Sequence, residues 1–117
     1  MYYFTPASDM FETADSIVIY IELAGVKKED INIEIGGGII EIGGIKRCAV
    51  INEEYNFQRM ERPFGLFKRR FNLPSSADWN TARASFEGGL LEIIMPKRTG
   101  NKGFRISCIE IDDQDKG

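Results

Sequence analysis

A chain of 117 residues is one domain's worth, long enough to bury a core without staples. It has no histidine, a formal net charge of −3 and a pI near 5.0. That removes the commonest general base, the Ser-His and Cys-His nucleophile pairs and most zinc sites, and argues against a nucleic-acid partner.

"MYYFTPASDMF" opens the chain without the basic and apolar regions of a secretory leader. No apolar run approaches the ~20 residues of a membrane span, so a cytoplasmic location and no membrane partner are the expectations. From Ser16 the period is two: Ile17, Ile19, Ile21 and Leu23 share one face, Val18, Tyr20 and Glu22 the other. "AGVKKEDI" breaks the pattern as a polar connection. Ile31, Ile33 and Ile35 resume it, and after three glycines Ile40 and Ile42 alternate with Glu41, which predicts a hairpin. Residues 46–66 show little alternation and read as a long loop with one short strand near Tyr55 to Met60.

Phe67, Arg69, Phe71 and Leu73 line one face of a strand that Pro74 ends. Ala82, Ala84 and Phe86 then lead through Gly88-Gly89 into "LLEIIM", a second hairpin. The tail from Lys97 carries one apolar patch, "FRISCIEI" (104 to 111), before the acidic end "DDQDKG". Short strands, frequent turns and no helical period predict an all-β fold, an antiparallel β-sandwich of about seven to nine strands.

The run "IEIGGGIIEIGG" (33 to 44) raises the question of a phosphate loop. In a dinucleotide fingerprint the third glycine would stand where Glu41 stands. In a P-loop reading Gly38 and Gly43 are correctly spaced, but Gly44 and Ile45 replace the lysine and hydroxyl. Both loops need a helix behind them, and the following residues are strand-like. The glycines turn the chain, so no cofactor is expected.

Other constellations are weaker. The carboxylates Asp9, Glu12, Asp15, Glu53, Glu54, Asp112, Asp113 and Asp115 lack calcium-loop spacing and read as solvated surface. Cys48 and Cys108 lack C-x-x-C spacing; free thiols are expected in a leaderless chain, with a disulfide left open. "FKRRF" (67 to 71) mixes aromatics and bases as a single-strand nucleic-acid platform does. Strand parity instead puts Arg69 on the apolar side with Phe67 and Phe71, away from Lys68 and Arg70. An arginine there needs a partner; an exposed strand-edge arginine is the alternative.

At this point four segments resemble the small heat-shock proteins. "ERPFGLFKRRFNLP" (61 to 74) is similar to their E-R-x-x-G-x-F-x-R-x-F-x-L-P segment, and "ASFEGGLL" (84 to 91) to A-x-x-x-n-G-v-L. "ELAGVKKEDINIEI" (22 to 35) resembles E-L-P-G-v-k-K-E-D-I-k-v-e-v with Ala24 for proline, and "IIEIGG" (39 to 44) resembles v-L-x-I-x-G. The resemblance implies an immunoglobulin-like α-crystallin domain over residues 9–96, with a short arm (1–8) and a flexible tail (97–117). It implies no enzyme, but an ATP-independent holdase whose partners are unfolding client proteins.

The resemblance also implies a homodimer built by exchange of the loop at 46–66, with Arg69, Tyr55, Phe57, Met60, Phe64 and Phe67 at the interface. Ile109 and Ile111 match the I-x-I tail anchor; Phe104 and Ile106 are a rival register. The anchor would dock in a neighbour's groove lined by Ile31, Ile33, Ile35, Ala84 and Leu90. Only about eight residues precede Asp9 where the family has some tens, whether by nature or by truncation, so dimers or small assemblies are expected. A co-chaperone adaptor of CS-domain type is the alternative, and a small hydrolase or ligand-binding sandwich a third class. The swap loop, the A-x-x-x-n-G-v-L segment and the I-x-I tail separate the first from the second. The missing histidine and the lack of any convergent polar cluster disfavour the third.

Overall fold

The computed structural model describes residues 3–48, 54–98 and 107–112, with backbone alone at 107 and 108. Nine strands form: β1 Ser8–Glu12, β2 Ser16–Glu22, β3 Ile31–Gly36, β4 Ile39–Lys46, β5 Gly65–Asn72, β6 Arg83–Glu87, β7 Leu90–Pro96, β8 Ser107–Cys108 and β9 Ile111–Asp112. They make a five-stranded sheet in the order β1-β2-β7-β6-β9 and a four-stranded sheet in the order β5-β4-β3-β8. Every strand pair is antiparallel except β6 with β9.

The alternating isoleucines dictate the packing. Ile17, Ile19, Ile21, Leu91, Ile93 and Met95 are fully buried on the inner face of the larger sheet. Ile33, Ile35, Ile40, Ile42 and Phe67 meet them from the smaller one, and no charged or polar residue among those described is buried with them. β-Branched side chains fit this pleated, two-layer interior, because their χ1 freedom is already restricted in a strand. Val18 lies on the outer face yet is almost fully covered. Its cross-strand neighbours Phe11 on β1 and Ile94 on β7 shield it there.

Both hairpins turn on two glycines. Gly36 faces Ile39, which leaves Gly37 and Gly38 as the loop, with φ of 60° and 78°. Glu87 faces Leu90 across Gly88 and Gly89, with φ of 59° and 79°. Positive φ at both central positions is the type I′ turn, whose twist matches the flanking strands and which residues with a Cβ adopt at a cost. The triple-glycine run is therefore a hairpin turn, and a strand follows it where a phosphate loop requires a helix.

Two differences from the sequence expectation stand out. Residues 8–12, for which the sequence predicts no strand, form β1 and pair along β2 from Ser8 with Ile21 to Glu12 with Ile17. The short strand expected near Tyr55 to Met60 does not form; residues 55–60 contain no strand. Tyr55, Phe57 and Met60 do not keep a period of two, and the segment pairs with no neighbouring strand of its own chain.

Candidate functional site

β5 and β1 are end strands of the two sheets, and β5 carries an arginine incompletely satisfied among the described residues. Three consecutive bases on β5 have three different fates. Lys68 places its Nζ 4.6 Å from the Tyr3 ring centre. Arg70 pairs with Glu41 at 3.2 Å on the solvated face. Arg69, of opposite parity, lies with its guanidinium carbon 5.1 Å from the Phe71 ring centre, and its buried Nε has no hydrogen-bond partner among the described residues. A buried donor left unmatched costs about 1–3 kcal/mol, more when charged.

The loop that joins β4 to β5 leads into this strand. Tyr55, Phe57 and Met60 are 57%, 44% and 53% exposed. Tyr55 and Phe57 touch edge to face, 6.3 Å apart. Phe64 is flanked by Lys46 and Arg62, at 5.5 and 5.0 Å from its ring. Arg59 and Glu61 pair at 2.8 Å in open solvent. Phe67 does not share this exposure. It is 0% exposed and belongs to the chain's own core, so its assignment to an interface surface is corrected: the inward parity of β5 seats it under the sandwich. β1 ends the five-stranded sheet, with β2 as its one partner strand among the described residues. Cys48 is a free thiol.

The opposite side of the sandwich holds the tail. Its root is pinned: the Lys97 N–H donates to the Asp15 carbonyl, the Lys97 ammonium pairs with Glu12 at 3.0 Å, and the Arg98 N–H donates to the Ser76 carbonyl. Farther on, β8 pairs with β3, placing Cys108 opposite Glu34, and the Ile109 N–H donates to the Ile33 carbonyl at 3.2 Å. β9 then runs parallel to β6, with Ile111 opposite Ala84. Residues 107–112 thus bridge the edges of both sheets. Ile109 and Ile111 are partly buried against the core to which Ile31, Ile33, Ile35 and Ala84 belong.

In this chain the segment sits on its own domain. Leu90 is not in that groove: it is 37% exposed on the outer face of β7, opposite Glu22 and Glu87. Inward parity on β7 falls to Leu91, Ile93 and Met95, and that corrects its assignment. Phe104 and Ile106 lie outside the described residues. Among those described, no three His, Cys, Asp or Glu residues stand together as metal ligands.

Sequence reasoning missed β1 and the residues before it. Phe4 forms a parallel bridge with Phe67. Its N–H donates to the Leu66 carbonyl at 3.0 Å, and its carbonyl accepts from the Lys68 N–H at 3.3 Å. Met10 turns inward beside the core. Alternation of Ser8, Met10 and Glu12 is a faint signal, with one apolar residue in three.

Comparison with known proteins places this arrangement. The model of the Hsp20/alpha crystallin family matches residues 9–112. Small heat shock protein C4 of Rickettsia felis is 31% identical over 102 residues, covering 87% of this chain and 63% of that protein. Spore protein SP21 of Stigmatella aurantiaca is 33% identical over 95 residues, 81% of this chain and 56% of its own length. This chain therefore spans about three fifths of the length of these relatives. Among solved structures, hspA from Xanthomonas axonopodis superimposes with a TM-score of 0.77 at 35% identity, covering 86% of this chain and all of the other. The chain belongs to the Hsp20/alpha crystallin family of small heat-shock proteins.

Proposed function

We propose that this chain is an ATP-independent holdase, which binds unfolding proteins through exposed apolar surface and limits their aggregation. Its working unit on this reading is a homodimer in which the 46–66 loop of each subunit packs on the other. The observation that carries the dimer is Arg69: a buried guanidinium Nε with no hydrogen-bond partner among the described residues, on the strand that follows a loop with three large exposed apolar side chains. A second subunit would supply both the acceptor and the cover. The outer edge of β1, which has no partner strand among the described residues, would take the loop as an added strand, gaining a ladder the loop does not make at home.

Holding suits the energetics. Each apolar side chain that a client brings to such surface contributes about 1.5–3 kcal/mol before ordering costs, so capture is reversible and needs no chemical step. The glycine turns present no helix N-terminus to a nucleotide, which fits a nucleotide-free cycle. Tails seated as Ile109 and Ile111 are here would join dimers when exchanged between subunits. The test is light scattering of a heat-unfolding client with and without the protein, nucleotide omitted. Suppression near stoichiometric ratios is expected; no suppression, or suppression only with ATP, overturns the reading.

A further inference from the structure

The open side of the sandwich between β5 and β1 is closed by residues 3–7. This strap starts on the edge of the four-stranded sheet and crosses to the five-stranded one, where the Glu22 N–H donates to the Ala7 carbonyl at 3.0 Å. Phe4 is its plug, with its ring centre 5.7 Å from that of the fully buried Phe67 and Pro6 buried behind it. The strap makes two backbone bonds to β5 and then stops. A parallel ladder would continue with the N–H of residue 6 donating to the Lys68 carbonyl, but proline has no N–H. The Pro6 carbonyl is instead taken by the Ser8 hydroxyl at 3.0 Å. β5 runs on to Asn72 beyond the point where the strap leaves it.

We propose that the β5 edge beside Phe67 is a second docking groove, shut in cis by Phe4, whose incoming ligand is an extended aromatic-bearing segment of an unfolding polypeptide. The strap displays the chemistry the groove takes: one aromatic ring against Phe67 and a strand backbone along Leu66 to Lys68. A segment with an ordinary residue in place of Pro6 extends the ladder toward Asn72, so it makes more bonds than the strap and displaces it. A second copy of the strap brings the same proline and gains nothing by exchange, which is why the occupant is assigned to a foreign chain. This deepens the holding function proposed above and rests on it.

Two fluorescent octapeptides test the groove: residues 2–9 of this chain, YYFTPASD, and the same peptide with Pro6→Val. Binding is measured by anisotropy to the full chain and to its Phe4→Asp variant, with circular dichroism and thermal melting to establish folding. The valine peptide is expected to bind the unaltered chain, about tenfold more tightly once Phe4→Asp has lifted the plug, because a closed site taxes apparent affinity by its open fraction. The proline peptide is expected to bind more weakly in both. No binding to a folded Phe4→Asp chain, or equal binding of the two peptides, overturns the proposal. Should Phe4→Asp not fold, Phe4→Ala opens the same site with a smaller perturbation and is read the same way. Larger homo-oligomers of the opened variant in native mass spectrometry, without peptide, assign the groove to a second copy and overturn the foreign-chain occupant. Client light scattering on the unaltered chain is run alongside: suppression without peptide binding sinks this groove and leaves the holdase standing.

Discussion

Arg69 and Phe71 lie two residues apart on one face of β5, cation over ring at 5.1 Å, with the Arg69 Nε buried and unmatched among the described residues. The ring lies close to the guanidinium carbon but does not satisfy the Nε–H, since a ring face is no substitute for a carbonyl or carboxylate acceptor. If the proposed dimer supplies the acceptor for Arg69, replacing Arg69 with alanine is expected to weaken association by about 3–5 kcal/mol, the usual consequence of breaking a buried charged pair. Arg70→Ala removes an exposed pair with Glu41 and should cost about 0.2–1 kcal/mol. Sedimentation and thermal melting of Lys68→Ala, Arg69→Ala and Arg70→Ala check this; equal values for all three would show that parity does not matter.

Deleting residues 50–62 should give monomers. The segment includes Tyr55, Phe57 and Met60, about half of whose surface stays exposed. Analytical ultracentrifugation reads the outcome directly, and an unchanged dimer counts against loop exchange.

The tail offers a third test. Ile109→Gly with Ile111→Gly removes two side chains, each contributing about 1.5–3 kcal/mol at full burial, less the entropy of ordering the segment. Native mass spectrometry should show larger species shifting toward dimers. Persistence of those species in this variant, with loss on changing Phe104 and Ile106, identifies the rival register. Indifference to both changes means that the tail is not the latch.

Gly44 and Gly43 are neighbours with opposite tolerance. A Cβ on Gly44 would overlap the Asp30 carbonyl oxygen and stand 2.9 Å from Phe67 Cζ, whereas one on Gly43 meets only the Phe67 carbonyl oxygen at 3.4 Å. Gly44→Ala is expected to destabilise by about 1–3 kcal/mol through overpacking against backbone. At roughly 4–8 °C of melting temperature per kcal/mol, the loss is easily seen. Gly43→Ala should stay within about 0.5 kcal/mol. Similar melting temperatures for the two variants would contradict the close approach.

The legible parts of the fold were those where local pattern and tertiary demand coincide. Ile17, Ile19 and Ile21, or Ile31, Ile33 and Ile35, alternate because one face is buried, and the glycine pairs mark turns that need positive φ. β1 was illegible for the opposite reason. It is an edge strand with Met10 as its inward apolar residue, so "SDMFE" announces its face only faintly. The site was legible only in part. Parity found Arg69, but the same parity should have withheld Phe67 from the surface and Leu90 from the groove. Phe4 could not be found at all, because its seat is made by Phe67, more than sixty residues away.

The pairing of β2 with β7 has a consequence during synthesis. Ile17, Ile19 and Ile21 are made first, yet the inner strand that pairs with theirs begins at Leu90. At about 5–20 residues per second, the intervening stretch of roughly 70 residues takes on the order of 4–14 s to be made. During that interval the nascent chain carries an isoleucine-rich strand with at most the short β1 beside it. It is then the same kind of aggregation-prone polypeptide that its finished form is proposed to hold, and crowded translation of its own message would make newborn copies the first clients of mature ones.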